Sequence, residues 1–157
     1  MTNKFFALVG PSGAGKTTLL KGLKETLKND QCVFLCDSSN GCTTAPHVRF
    51  TTRVTQIVQE GVHEVATPRS QLLLFWSRLV TIIEEDVCRS LRLGKIPVID
   101  GFGGTILVNA MVRARSEHER EDLLQLHKDM IKHCVIGLGV APPTYLLLRP
   151  SPSVAYS

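Results

Sequence analysis

The 157-residue sequence has no internal repeat and no low-complexity tract, so a solenoid and an extended disordered chain are both excluded. It also lacks a long unbroken apolar run. The stretch from Val135 to Leu148 is interrupted by Gly137, Gly139, Pro142 and Pro143 and falls short of the roughly 20 residues that cross a bilayer. Aromatic residues are only 6% of the chain, and they are not interleaved with basic ones as on a surface that stacks bases. The formal net charge of +4 is modest and its lysines and arginines are scattered. A phosphorylated small molecule accounts for that surplus without a nucleic-acid partner. The five cysteines are an odd number and contain no C-x-x-C pair, which points to a reducing compartment. Cys32, Cys36, Cys42 and His47 therefore read as small apolar side chains and idle thiols rather than a metal site. Met1-Thr2-Asn3-Lys4 runs directly into the first apolar segment, so the expectation is a chain without a leader. The expectation is a single soluble cytoplasmic domain over residues 1–157, with no membrane association.

What is present is concentrated near the start. Gly10-Pro11-Ser12-Gly13-Ala14-Gly15-Lys16-Thr17 fits G-x-x-x-x-G-K-[ST], a phosphate-binding loop. The glycines let the backbone curl so that successive N–H groups, here from Ser12 through Gly13, Ala14 and Gly15 to Thr18, point at phosphate oxygens. Lys16 is placed to reach the terminal phosphates of ATP, and the Thr17 hydroxyl to bind Mg²⁺. The flanks agree with the motif. Lys4 to Val9 is a short apolar run suited to a buried parallel strand, and Leu19, Leu20, Leu23 and Leu27 mark one face of a helix over Lys16–Lys28. The helix N-terminus adds its dipole to the anion site.

Further along, Gln31–Cys36 reads as a second strand, 37–41 as a loop, and His47–Glu60 as a helix stopped by Gly61. Thr67-Pro68 is an N-cap followed by proline at the first helical position. The helix it opens is predicted to reach about Leu93, with Leu72, Phe75, Leu79, Ile82, Ile83 and Val87 inward. Ile96–Asp100 is a strand ending on a carboxylate, Ser116–Glu119 a capping box for a helix to about Ile136, and Thr144–Leu148 a fourth strand. This alternation predicts an α/β protein of three layers, a parallel sheet with helices on both faces. Asp37 and Asp100 then share the loop's sheet edge, where Asp100 becomes a second Mg²⁺ ligand, direct or through water. Phe75 is either core or a platform for a nucleobase, and Arg78 either a phosphate clamp or a solvated side chain. Arg49 and Arg53, four apart on one helix face, are further candidates for an acceptor phosphate.

In this order of parts the chain resembles the thymidylate kinase branch of the nucleoside monophosphate kinases. The likeness rests on the phosphate loop, the Leu72–Phe75 run, the Gly94-to-Asp100 strand and the segment Pro142–Pro152. It implies the fold of a P-loop kinase and implies that Phe75 stacks on the acceptor base. The family's Asp-Arg-Tyr with a following serine corresponds here to Asp100-Gly101-Phe102 and Thr105, which makes Phe102 and Thr105 implied substrate contacts. Other positions depart from the family pattern. Gly101 replaces an arginine, Leu79 stands where a second arginine falls with Arg78 one position before it, Asp37-Ser38-Ser39 replaces an arginine-acid-proline loop, and Asn109-Ala110 replaces a tyrosine-glutamine pair. The family's arginine-bearing lid has no counterpart in these residues.

Together these readings predict ATP- and Mg²⁺-dependent phosphoryl transfer to a nucleotide or nucleoside, with Lys16 and Asp100 as the catalytic pair and a homodimer as one possible assembly. The alternatives are a non-catalytic, regulatory or truncated nucleotide-binding protein and an NTPase with water as acceptor.

Overall fold

The computed structural model describes residues 4–11, 13–27, 32–36, 46–57 and 66–149. Four parallel strands form one sheet: β1 (Phe6–Val9), β2 (Cys32–Cys36), β3 (Ile96–Asp100) and β4 (Thr144–Leu147), in the order β2-β3-β1-β4. The register sets Leu8 beside Asp100 and Val9 beside Leu147, so the phosphate loop leaves β1 between the carboxyl ends of β3 and β4.

The helices are α1 (Lys16–Thr26), α2 (Pro46–Ile57), α3 (Pro68–Ile82), α4 (Cys88–Arg92), α5 (Gly104–Arg113) and α6 (Glu117–Cys134). Strand alternation divides the core in two. Ala7, Leu35 and Ile99 face a large cluster built with Leu72, Trp76 and Leu79 of α3, Ile106 and Ala110 of α5, and Leu123 of α6. Leu8, Phe34 and Val98 face the other way onto Leu20 of α1. This is the expected three-layer arrangement, with one thick and one thin helical layer. Within the thin layer only Leu20 of the α1 stripe is buried, while Leu19 and Leu27 are exposed.

Local chemistry fixes the long elements. Thr67 caps α3 by accepting a hydrogen bond from the Ser70 N–H at 3.2 Å, and Pro68 follows at the first helical position. The helix does not run straight to Leu93 as its sequence suggests. A π-helical turn, Ile83–Val87, intervenes before α4, and the extra residue resets the phase so that Ile83 and Val87 both stay fully buried. At α6 the Ser116 hydroxyl accepts from Glu119 N–H at 3.1 Å, while the Glu119 carboxylate accepts from the backbone N–H of Arg115 at 2.6 Å. The capping box is therefore made with its return bond displaced by one residue.

β4 closes one edge of the sheet, and all four of its residues are exposed, although Tyr145, Leu146 and Leu147 are largely apolar. Among the described residues no helix is long and apolar enough to cross a membrane.

Candidate nucleotide site

The loop is shaped by residues that tolerate its backbone. Gly13 and Gly15 sit at φ +77° and +81°, where other residues are strained, and an added Cβ at either would meet nothing within 4 Å. Gly10 serves a different need. A Cβ there would lie 2.8 Å from the Leu148 carbonyl oxygen, so only glycine lets β4 approach the loop this closely. The Ala14 N–H donates to the Pro11 carbonyl at 3.2 Å and closes the turn.

α1 begins directly behind the loop. Its N-cap is Gly15, and its first turn has no acidic residue. Among the described residues no side chain caps this end, and its N–H groups present positive partial charge, which suits an anion. Lys16 lies over the loop, donating from Nζ to the Gly10 and Pro11 carbonyls at 2.9 and 2.8 Å. Those bonds hold the ammonium at the rim of the cradle, within a side-chain rotation of it. On the neighbouring strand Asp100 ends β3, and the Thr17 hydroxyl donates to its Oδ2 at 3.5 Å. A hydroxyl and a carboxylate converging on one point are hard oxygen ligands of the kind Mg²⁺ selects. The residues present fit a magnesium triphosphate.

The structure brings Gly10, Gly13, Ala14, Gly15, Lys16, Thr17, Thr18 and Asp100 to one edge. Ser12 and Asp37 lie outside the described residues. The expected acceptor residues are more dispersed. Phe102 is 1% exposed, packed edge-to-face on Phe5 at 5.5 Å and Trp76 at 5.9 Å. It is a core residue, which corrects its reading as a substrate contact: the turn after Asp100 points the ring inward, under the sheet edge. Arg78 is 4% exposed on α3, so the open guanidinium fork expected of a phosphate clamp is instead a buried side chain. Phe75 is half-buried and packs against the main cluster. Arg53 is exposed on α2, and Arg49 shares that helix with its side chain outside the described set. Thr105 opens α5, and its side chain too lies outside that set.

Trp76 and His127 form a buried pair that no sequence motif marks. Trp76 is fully buried, and its indole N–H donates to His127 Nδ1 at 3.2 Å. Burial pushes the His127 pKa below its ordinary value. The only advance signal for Trp76 was its place in the apolar α3 run, four residues from Leu72. A separate cavity of about 550 Å³, lined by Glu84, Cys88, Leu91, Arg92 and Leu138 to Val140, precedes the amino ends of β3 and β4, across the sheet from the loop.

Comparison with known proteins agrees with this geometry. The thymidylate kinase of Bacillus licheniformis is 28% identical over 103 residues, a match covering 65% of this chain and 46% of that protein. The thymidylate kinase of Caldanaerobacter subterraneus subsp. tengcongensis is 29% identical over 102 residues, with the same shares covered. The chain thus spans about half the length of the curated relatives it matches. The crystal structure of thymidylate kinase from Ehrlichia chaffeensis superposes with a TM-score of 0.68 at 19% identity, covering 99% of this chain and 77% of that one. The fold is that of a thymidylate kinase-like P-loop protein. A family model described as "AAA domain" matches residues 1–137, and by that match the chain belongs to the AAA domain family.

Proposed function

We propose that this protein binds ATP with Mg²⁺ at the loop between β1 and α1 and transfers the terminal phosphoryl group to a nucleotide or nucleoside. The observation that carries this reading is the convergence of Lys16, Thr17 and Asp100 across adjacent parallel strands, with a 3.5 Å hydroxyl–carboxylate contact already in place. Backbone N–H groups from Gly13 to Thr18 hold the phosphates. Lys16 leaves the Gly10 and Pro11 carbonyls to neutralise charge on the transferring group. Thr17 and Asp100 are the residues that hold the metal, which when bound offsets negative charge on the phosphate oxygens. A nucleotide's phosphate is already nucleophilic and needs no base, whereas a nucleoside hydroxyl would need one, for which Asp37 and Asp100 are the candidates.

A second reading is supported by the acceptor side. Phe102 and Arg78 are buried, and Gly101 stands in place of the family's arginine. In that reading the domain binds nucleotide without transferring phosphate to an acceptor, or hydrolyses it with water. Mass spectrometry of products from ATP, Mg²⁺ and a panel of nucleosides and monophosphates separates the readings. One acceptor heavier by one phosphate supports transfer. Bound ATP without any phosphorylated acceptor refutes transfer and supports the second reading.

A further inference from the structure

Asp100 is followed by Gly101-Phe102-Gly103-Gly104, so three of the next four residues have no side chain with which to hold the turn. Gly101 and Gly103 both take positive φ, +85° and +57°. A segment of this kind has the most backbone freedom to lose, yet it must keep the Asp100 carboxylate beside Thr17. The sheet end supplies one tie, the Gly101 N–H donating to the Leu8 carbonyl at 2.9 Å. Within the turn and α5, the Gly104 N–H donates to the Phe102 carbonyl and the Leu107 N–H to the Gly103 carbonyl at 2.9 Å, and side-chain packing comes from below. Phe102 is inserted among Phe5, Trp76 and Tyr145, with ring centroids 5.5, 5.9 and 6.4 Å away. The Gly103 backbone rests on the edge of the His127 imidazole, so closely that a Cβ on Gly103 would lie 2.8 Å from His127 Cε1. The imidazole in turn is held by the indole, since Trp76 donates from Nε1 to His127 Nδ1 at 3.2 Å, with ring centroids 5.2 Å apart. Because Nδ1 accepts, the neutral ring carries its proton on Nε2.

We infer that His127 is a positioning residue for the nucleotide site: locked by the Trp76 hydrogen bond, its ring fixes the glycine turn and, through it, the Asp100 carboxylate at the metal position. The reason lies in the geometry of contact. Trp76 touches the turn twice, directly through Phe102 and indirectly through His127 against Gly103. Trp76 lies on α3, His127 on α6 and Gly103 at the start of α5, so three helices of the thick layer meet on this one turn. Burial, which keeps the imidazole neutral, preserves the acceptor the indole needs. The role in metal binding rests on the proposed nucleotide site, whereas the hold on the turn does not.

Two readouts on the full chain keep these apart. The first is backbone hydrogen exchange of Gly101 to Gly104 without ligand. His127→Phe keeps a ring but removes the acceptor, and is expected to accelerate exchange there about tenfold; Trp76→Phe, which removes the donor, is expected to act in the same direction. His127→Asn places an amide oxygen where Nδ1 was and should recover most of the protection. The second readout is the Mg²⁺ concentration needed for half-maximal ATP binding, expected to rise about fivefold in His127→Phe while binding in EDTA is unchanged. Unchanged exchange at the turn in folded His127→Phe and Trp76→Phe overturns the inference. So does acceleration spread evenly over α3, α5 and α6, which would indicate general loosening, or equal loss of ATP affinity with and without Mg²⁺. Should His127→Phe fail to fold, Trp76→Phe and His127→Asn decide. If the wild type binds no ATP, the proposed function fails and the exchange data still judge the hold on the turn.

Discussion

Two alanine substitutions in the phosphate loop separate two reasons for glycine. In Gly10→Ala the new Cβ would stand 2.8 Å from the Leu148 carbonyl oxygen and 3.3 Å from Ala14 Cβ. The oxygen is backbone, and its residue is tied to β1 through the Leu148 N–H, which donates to the Val9 carbonyl at 2.8 Å. Relief requires the end of β4 to move off the loop by about half an ångström, an overpacking cost of about 2 kcal/mol. In Gly13→Ala the Cβ meets nothing within 4 Å, and the cost is the φ of +77° alone, about 1 kcal/mol. For a domain of this size those costs are melting-point losses of about 4–8 °C and about 2–4 °C. Urea unfolding with a common slope measures both, and hydrogen exchange at Leu148 locates the first. Gly10→Ala should accelerate exchange at Leu148 and Gly13→Ala should not. Equal stability losses, or an undisturbed Leu148 amide in Gly10→Ala, would refute the argument that β4 seats against the loop.

Phe102→Ala should cost about 3–5 kcal/mol in chemical denaturation, because it empties a fully enclosed aromatic site; a loss below about 1 kcal/mol would return Phe102 to the surface and to substrate contact. His127 gives a pH signature. Its folded pKa lies below the ordinary 6.5, so the unfolded chain takes up a proton that the folded chain resists. Its contribution is therefore present above about pH 6.5 and is lost as pH falls below that value toward the folded pKa, with a slope of at most about 1.4 kcal/mol per pH unit. Urea titrations at pH 7.5 and about pH 5.5 should show this loss in the wild type and a smaller one in His127→Asn. Thr67→Ala should destabilise by about 1 kcal/mol through the lost α3 cap without altering nucleotide affinity, which calorimetry can verify.

Much of the scaffold was legible because local signals agreed with tertiary ones. Ile96–Asp100 was read to the residue, since an apolar run bounded by Gly94 and ended by a carboxylate has one sensible use. The loop, the Thr67 cap and the Ser116 cap were equally local. α5 escaped because it opens in a glycine-rich turn that reads as a loop, although Ile106, Leu107 and Ala110 lie on its buried side. The π-helical turn escaped because the apolar spacing through Ile82, Ile83 and Val87 suits a continuous helix, and the added residue per turn leaves no mark in composition. The acceptor residues were harder for a physical reason. α3 is buried around much of its circumference, with Gln71 and Arg78 inside along with Leu72, Trp76 and Leu79. An arginine in such a helix looks exposed by residue type and is buried by context. Phe102 reads as a substrate contact only through the family correspondence, and its inward direction is set by two positive-φ glycines whose conformation no side-chain pattern records.

We propose that Lys16, Thr17 and Asp100 assemble a Mg²⁺-dependent triphosphate site. Calorimetric titration with ATP, with and without Mg²⁺, on the wild type, Lys16→Ala and Asp100→Asn tests it most directly. Binding should strengthen with Mg²⁺ in the wild type, be almost lost in Lys16→Ala, and no longer respond to Mg²⁺ in Asp100→Asn. Unaltered affinity in Lys16→Ala, or a full Mg²⁺ response in Asp100→Asn, would contradict it.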